Sequence, residues 1–167
     1  MATHHGYIEL NTDAKPSFYD VTDQVKGIVA SSAIHNGIAV VYSQHTTCSI
    51  MIQEDSKDET YNGTKFLLQD LLDVFETLVP TCRREGQYLH PGPKLVQYSY
   101  ETIQELPAWC LNTDAHLRSS FLGRSESIPV IDDHLELGEF GRIYFIVCGS
   151  FNWLCLLCGK GRMIYRC

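Results

Sequence analysis

Ile38-Ala39-Val40-Val41-Tyr42, then Gln44-His45-Thr46-Thr47-Cys48-Ser49-Ile50-Met51-Ile52-Gln53-Glu54, is the stretch that decides the fold. The first run is β-branched and too short for an ordinary helix, so it reads as a buried strand. From Cys48 the pattern alternates. Cys48, Ile50 and Ile52 fall on one face and Ser49, Met51 and Gln53 on the other, which predicts a second strand with one buried face. The stretch places an imidazole, two hydroxyls and a carboxylate within a few residues of each other, around a polar joint between two strands. Two readings stand open: a turn whose threonine hydroxyls satisfy nearby backbone, or a ligand site.

Working outward, Tyr7-Ile8-Glu9-Leu10 predicts an opening strand, and Asn11 to Ser17 a loop carrying Pro16. Thr22 is the expected N-cap of a helix whose apolar stripe is Val25, Ile28, Val29 and Ala33, with Asn36-Gly37 as its stop. A second helix spans Thr64 to Val79, ends at Pro80 and has an apolar arc wide enough to be largely buried. Asp70, Asp73 and Glu76 form its solvated stripe. The turn residues Gly86, Pro91, Gly92 and Pro93 leave Tyr88-Leu89-His90 and Leu95-Val96-Gln97-Tyr98 as short strands or ordered loop. Asn112 to Gly123 predicts a short helix, Ser127 to Ile131 an edge strand around Pro129, and Gly141 to Val147 a strand.

The chain has 167 residues, enough for one domain with a real core. Its formal charge of −7 argues against a broad nucleic-acid footprint. Seven cysteines in irregular spacing, and no secretory leader pattern, point to reduced thiols and a cytoplasmic protein. Cys155-Leu156-Leu157-Cys158 has redox or zinc spacing. It lies in an apolar run without a second pair or a nearby histidine, and reads as buried packing. The apolar run from Ile143 to Cys158 is interrupted and shorter than the roughly 20 residues of a spanning helix, so no membrane partner is expected.

Three passages together resemble the YjbQ family, small proteins often described as secondary thiamine-phosphate synthases. They are Asp20-Val21-Thr22 through Gly37; His45-Thr46-Thr47-Cys48-Ser49-Ile50 with Gln53-Glu54; and Asn112 to Gly123 followed by Ile128-Pro129-Val130 and Leu135-Glu136-Leu137-Gly138. The order holds across Asp20 to Phe145. Glu139-Phe140-Gly141 stands where the family has Thr-Trp-Gln, and nothing after Val147 matches its closing turn and strand. The chain therefore divides into a YjbQ-like domain, 1–147, and a divergent tail, 148–167.

The resemblance implies an α+β fold: a β-sandwich with jelly-roll-like sheets and a few flanking helices, assembled as a homotrimer. It implies a pocket with His45, His116 and Glu54 as catalytic residues. Thr46, Thr47, Ser119 and Arg118 would bind a small phosphorylated substrate. His45, His90, His116 and Asp114 would hold a divalent metal, zinc or magnesium. The implied activity is a weak transferase joining a pyrimidine pyrophosphate to a thiazole phosphate. The alternatives are a metal-dependent hydrolase of small phosphorylated compounds and a non-catalytic metal- or anion-binding protein. His4, His5, His35 and His134 read as surface or turn residues, and Cys48 as a buried small side chain.

Overall fold

The computed structural model describes residues 2–12, 16–149 and 161–166, the last of these as backbone. The order is β1 (Tyr7–Leu10), β2 (Ser17–Asp20), α1 (Thr22–Ser31), β3 (Gly37–Ser43), β4 (Cys48–Glu54), α2 (Phe66–Leu78), α3 (Pro93–Thr102), a short 3-10 turn (Pro107–Cys110), α4 (Thr113–Leu122), β5 (Ser125–Ile131), β6 (His134–Leu135), β7 (Gly141–Val147) and β8 (Gly161–Arg166). The described residues form a mixed α+β fold with four α-helices and two antiparallel sheets. One sheet runs β1-β8-β3-β5-β6 and the other β2-β7-β4.

The two strands of the deciding stretch lie in different sheets. β3 pairs with β5 and β8, whereas β4 pairs along its whole length with β7. The His-Thr-Thr joint is therefore the passage from one sheet to the other. β4 is buried on both faces over its first half and not on one alone, because Met51 enters a second cluster with Leu68 of α2, Ala115 of α4 and Tyr144 of β7. The larger cluster draws Ala39 and Val41 from β3, Ile128 and Val130 from β5, Cys48 and Ile50 from β4, Ile143, Phe145 and Val147 from β7, and Val25 and Val29 from α1. Apolar burial at period 2 in the strands and 3.6 in the helix converges on it.

Several expectations are corrected. Thr22 does not cap α1. Its hydroxyl accepts from the Ile143 amide at 2.9 Å, and Asp20 Oδ1 accepts from the Thr22 amide at 2.9 Å. The helix stops at Ser31, and Ala33 adopts a left-handed φ of 55° before Asn36-Gly37 is reached. In α2 only Leu68 and Phe75 are buried, while Phe66, Val74 and Leu78 are exposed. Leu95-Val96-Gln97-Tyr98, expected as a short strand or ordered loop, lies inside α3, with Pro93 at the helix's first turn and Ser99 as its buried residue. β2 takes up Ser17–Asp20, where a loop and the lead-in to α1 are expected. Beyond Val147, where nothing resembles the family's closing turn and strand, residues 161–166 form β8 between β1 and β3. Cys155 and Cys158 lie outside the described residues.

Gly141 opens β7 where a Cβ would run into the Leu137 carbonyl. Gly123, at φ 85°, ends α4 and turns the chain into β5.

Candidate functional site

Three histidines from three parts of the chain meet at the sheet-to-sheet joint. His45 comes from the joint itself, His90 from the loop before α3, and His116 from the second turn of α4; all three are half-buried. The His90 and His116 rings pack edge to face with centroids 5.4 Å apart. Burial lowers the pKa of His116, the charges of His90 and His45 lower it further, and a backbone hydrogen bond with Thr46 works the other way.

The hydrogen bonds fix where the protons sit. At His45, Nδ1 accepts from the Thr47 amide at 3.3 Å and contacts the Thr47 hydroxyl at 2.7 Å. A backbone N–H can only donate, so Nδ1 presents its lone pair and the neutral ring carries its hydrogen on Nε2. At His90 the arrangement is reversed. The single hydrogen of the Thr113 hydroxyl goes to the His90 carbonyl at 2.6 Å. The same oxygen lies 2.9 Å from His90 Nδ1 and can only accept there. His90 is thus Nδ1-protonated, with its lone pair on Nε2. Thr113 is not among the expected site residues, although a threonine at the start of a predicted helix is a candidate to turn its hydroxyl back to local backbone.

The other expected site residues go elsewhere. Glu54 is exposed at the far end of β4, six residues beyond Cys48 on an extended strand, or roughly 20 Å away. Ser119 is buried and donates to the Cys48 carbonyl at 2.7 Å, locking α4 onto β4. Arg118 is also buried. Its guanidinium donates to the Val79 carbonyl from Nε (3.1 Å) and Nη2 (2.8 Å), and to Glu76 Oε2 at 2.8 Å. It is a structural tie between α2 and α4 rather than a substrate ligand. Asp114 is 1% exposed and faces inward, with Oδ2 3.7 Å from Arg118. Burial raises its pKa against the pull of the Cys82 amide, the Arg118 charge and the amides of its own turn. Neither carboxylate oxygen makes a hydrogen bond of good geometry. Thr47 is buried and committed to His45, which leaves Thr46 as the exposed member of the pair.

The four-ligand metal set is corrected accordingly. Asp114 is turned into the core. Among the described residues no group of three or more His, Cys, Asp or Glu side chains has an arrangement suited to a metal ion.

A family model described as UPF0047 protein YjbQ-like matches residues 6–150. The chain belongs to the YjbQ-like UPF0047 family. A UPF0047 protein of Methanothermobacter thermautotrophicus is 30% identical over 145 residues, covering 87% of this chain and 82% of that one. One from Archaeoglobus fulgidus is 31% identical over 139 residues, covering 83% and 86%. Among solved structures, a YbjQ-like protein of unknown function from Sulfolobus solfataricus superposes with a TM-score of 0.71 at 21% identity, over 98% of this chain and 95% of that one. These YjbQ-like relatives carry no assigned activity. The thiamine-phosphate synthase and transferase readings are therefore withdrawn: the family is one of unknown function. The geometry agrees, since Arg118 and Ser119, the groups expected to receive a phosphate, are spent inside the protein.

Proposed function

We propose that the three-histidine site binds a small polar ligand and moves a proton on it near neutral pH. The opposed proton placement of His45 and His90 carries this reading. His45 carries its ring hydrogen on Nε2, while His90 carries its own on Nδ1 and keeps a lone pair on Nε2. Neighbouring imidazoles whose opposite tautomers are set by Thr47 and Thr113 suit general acid–base work. Exposed Thr46 supplies a further hydroxyl at the rim.

The test is two-dimensional 1H–15N correlation of the histidine side chains across pH 5 to 9. The expected result is Nε2-protonated His45 and Nδ1-protonated His90 at neutral pH, with Thr113→Val abolishing the His90 preference. A His90 ring protonated on Nε2 in the wild type would sink the proposal.

We also read the two sheets as the layers of a sandwich, on the strength of a core cluster that takes residues from both. Assembly as a homotrimer is part of the same reading; light scattering coupled to size exclusion decides it. Cys48, Cys82, Cys110 and Cys148 are all buried, which suits a reducing, cytoplasmic setting. Among the described residues no helix is long and apolar enough to cross a membrane.

A further inference from the structure

The opposite end of β4 opens onto a different cavity. It has a volume of about 650 Å³ and is walled by β2, the start of α2, β7 and Asp55. From Thr47 to Asp55 the chain is extended, so this cavity lies about 25 Å from the histidines. Its rim is charged in both senses. Asp55 holds Lys57 at 3.1 Å and Lys65 at 3.8 Å, and Lys65 also holds Glu59 at 2.9 Å. Arg142 reaches toward Asp20 (3.8 Å) and Asp55 (3.6 Å). Of these, Asp20 and Asp55 line the cavity with Lys65 and Arg142, two carboxylates against two cations, so the formal sum is zero.

Arg142 stands apart in this group. Both of its carboxylate contacts are longer than a hydrogen bond, and among the described residues its guanidinium makes no hydrogen bond at all. Its planar fork of N–H donors is thus unspent, and that fork matches the two oxygens of a carboxylate. The hydroxyl of Tyr144, a residue 5% exposed, lies in the same wall and likewise makes no hydrogen bond among the described residues. A bare anion entering here would meet Asp20 and Asp55. A ligand carrying both signs would not be repelled, because its cationic group falls to the aspartates. Phe18, Leu68 and Leu72 give the cavity an apolar side.

We propose that this cavity binds a small zwitterion of the α-amino-acid type. The carboxylate sits on the Arg142 fork, the ammonium sits on Asp20, and an apolar side chain lies against Phe18, Leu68 and Leu72. The site is separate from the histidine site, and the two stand or fall independently.

The experiment is calorimetric titration of the full chain with L-leucine, 4-methylpentanoate and 3-methylbutylamine. The expected outcome is saturable binding of leucine, with each analogue weaker by about tenfold or more, since each lacks one of the two charges. Arg142→Gln is expected to weaken leucine by a similar factor. Tyr144→Phe, which removes only a hydroxyl, is expected to weaken it less. No saturable leucine binding up to about 10 mM overturns the proposal. So does an analogue that binds as well as leucine. The analogue series on the wild type decides the matter even if Arg142→Gln fails to fold.

Discussion

Replacing Arg118 with methionine keeps most of the side-chain volume and removes the charge. The consequence can be worked out from its contacts. The Val79 carbonyl loses two donors, at 2.8 and 3.1 Å, and Glu76 loses a charged bond at 2.8 Å. Glu76 is 45% exposed and keeps its bonds from Thr81, so its loss is small. Asp114 cannot compensate in this way. It is 1% exposed, its oxygens lack well-formed hydrogen bonds, and Arg118 is the countercharge beside it. Stranding a buried charge by removing its partner costs about 3–5 kcal/mol. Against a total stability of about 5–15 kcal/mol, Arg118→Met should fold but sit near the edge. Adding Asp114→Asn removes the stranded charge, and the double variant should recover about 1–3 kcal/mol of that loss. Urea unfolding followed by far-UV circular dichroism, at one fixed protein concentration, gives all four corners of the cycle. A loss under about 1 kcal/mol for Arg118→Met, or a double variant weaker than Arg118→Met alone, would refute the claim that the arginine is held for the aspartate.

Asp114 also predicts a pH dependence. Its folded pKa is raised, so the native state holds the proton longer than the unfolded chain. Stability therefore declines as pH rises from the unfolded carboxylate value, 3.8, through the folded one; Asp114→Asn should remove that decline in urea midpoints measured across pH. His116 acts in the opposite sense. Its folded pKa is lowered, so its contribution is present above the unfolded value of 6.5 and is lost as pH falls through the folded one; His116→Gln should flatten the acid side of the same curve. Phe145→Ala, at 2% exposure in the main cluster, should cost about 3–5 kcal/mol in urea unfolding. Gly141→Ala should lower the melting temperature, because the added methyl meets backbone at Leu137 that has no flexible end to yield.

Where local pattern and tertiary burial coincide, the sequence was enough. Gly141–Val147 is apolar and buried residue by residue from Ile143 onward, and Thr113–Leu122 is bracketed by Asn112 and Gly123. The failures have physical reasons. α3 fully buries only Ser99 and leaves Leu95, Tyr98 and Tyr100 exposed, so its apolar residues mark no core face, although Pro93 at its start was an available signal. β2 is four residues long and nowhere fully buried. The exposed apolar residues of α2, Phe66, Val74 and Leu78, show that an apolar arc tells which residues share a side but not whether anything in the same chain covers them. At the site, His45 and His116 became legible only through the family resemblance, since no spacing rule joins residues so distant. Arg118 and Ser119 were read as ligand groups because residue type says what a side chain can bind, while only the fold says which way it points. Thr113, which sets the proton on His90, needed the loop before α3 to be folded against α4 before its role existed.

The place of β8 has a consequence for the chain during its synthesis. β8 lies between β1 and β3, pairing Tyr7 with Ile164 and Val41 with Tyr165. Until residues 161–166 leave the ribosome, both neighbouring strands present open edges to other nascent or released chains, and such edges are templates for intermolecular pairing. Early termination of translation upstream of Gly161 would leave fragments with two unpaired strand edges. Such fragments would be targets for chaperones and proteases rather than reserves of a smaller working domain.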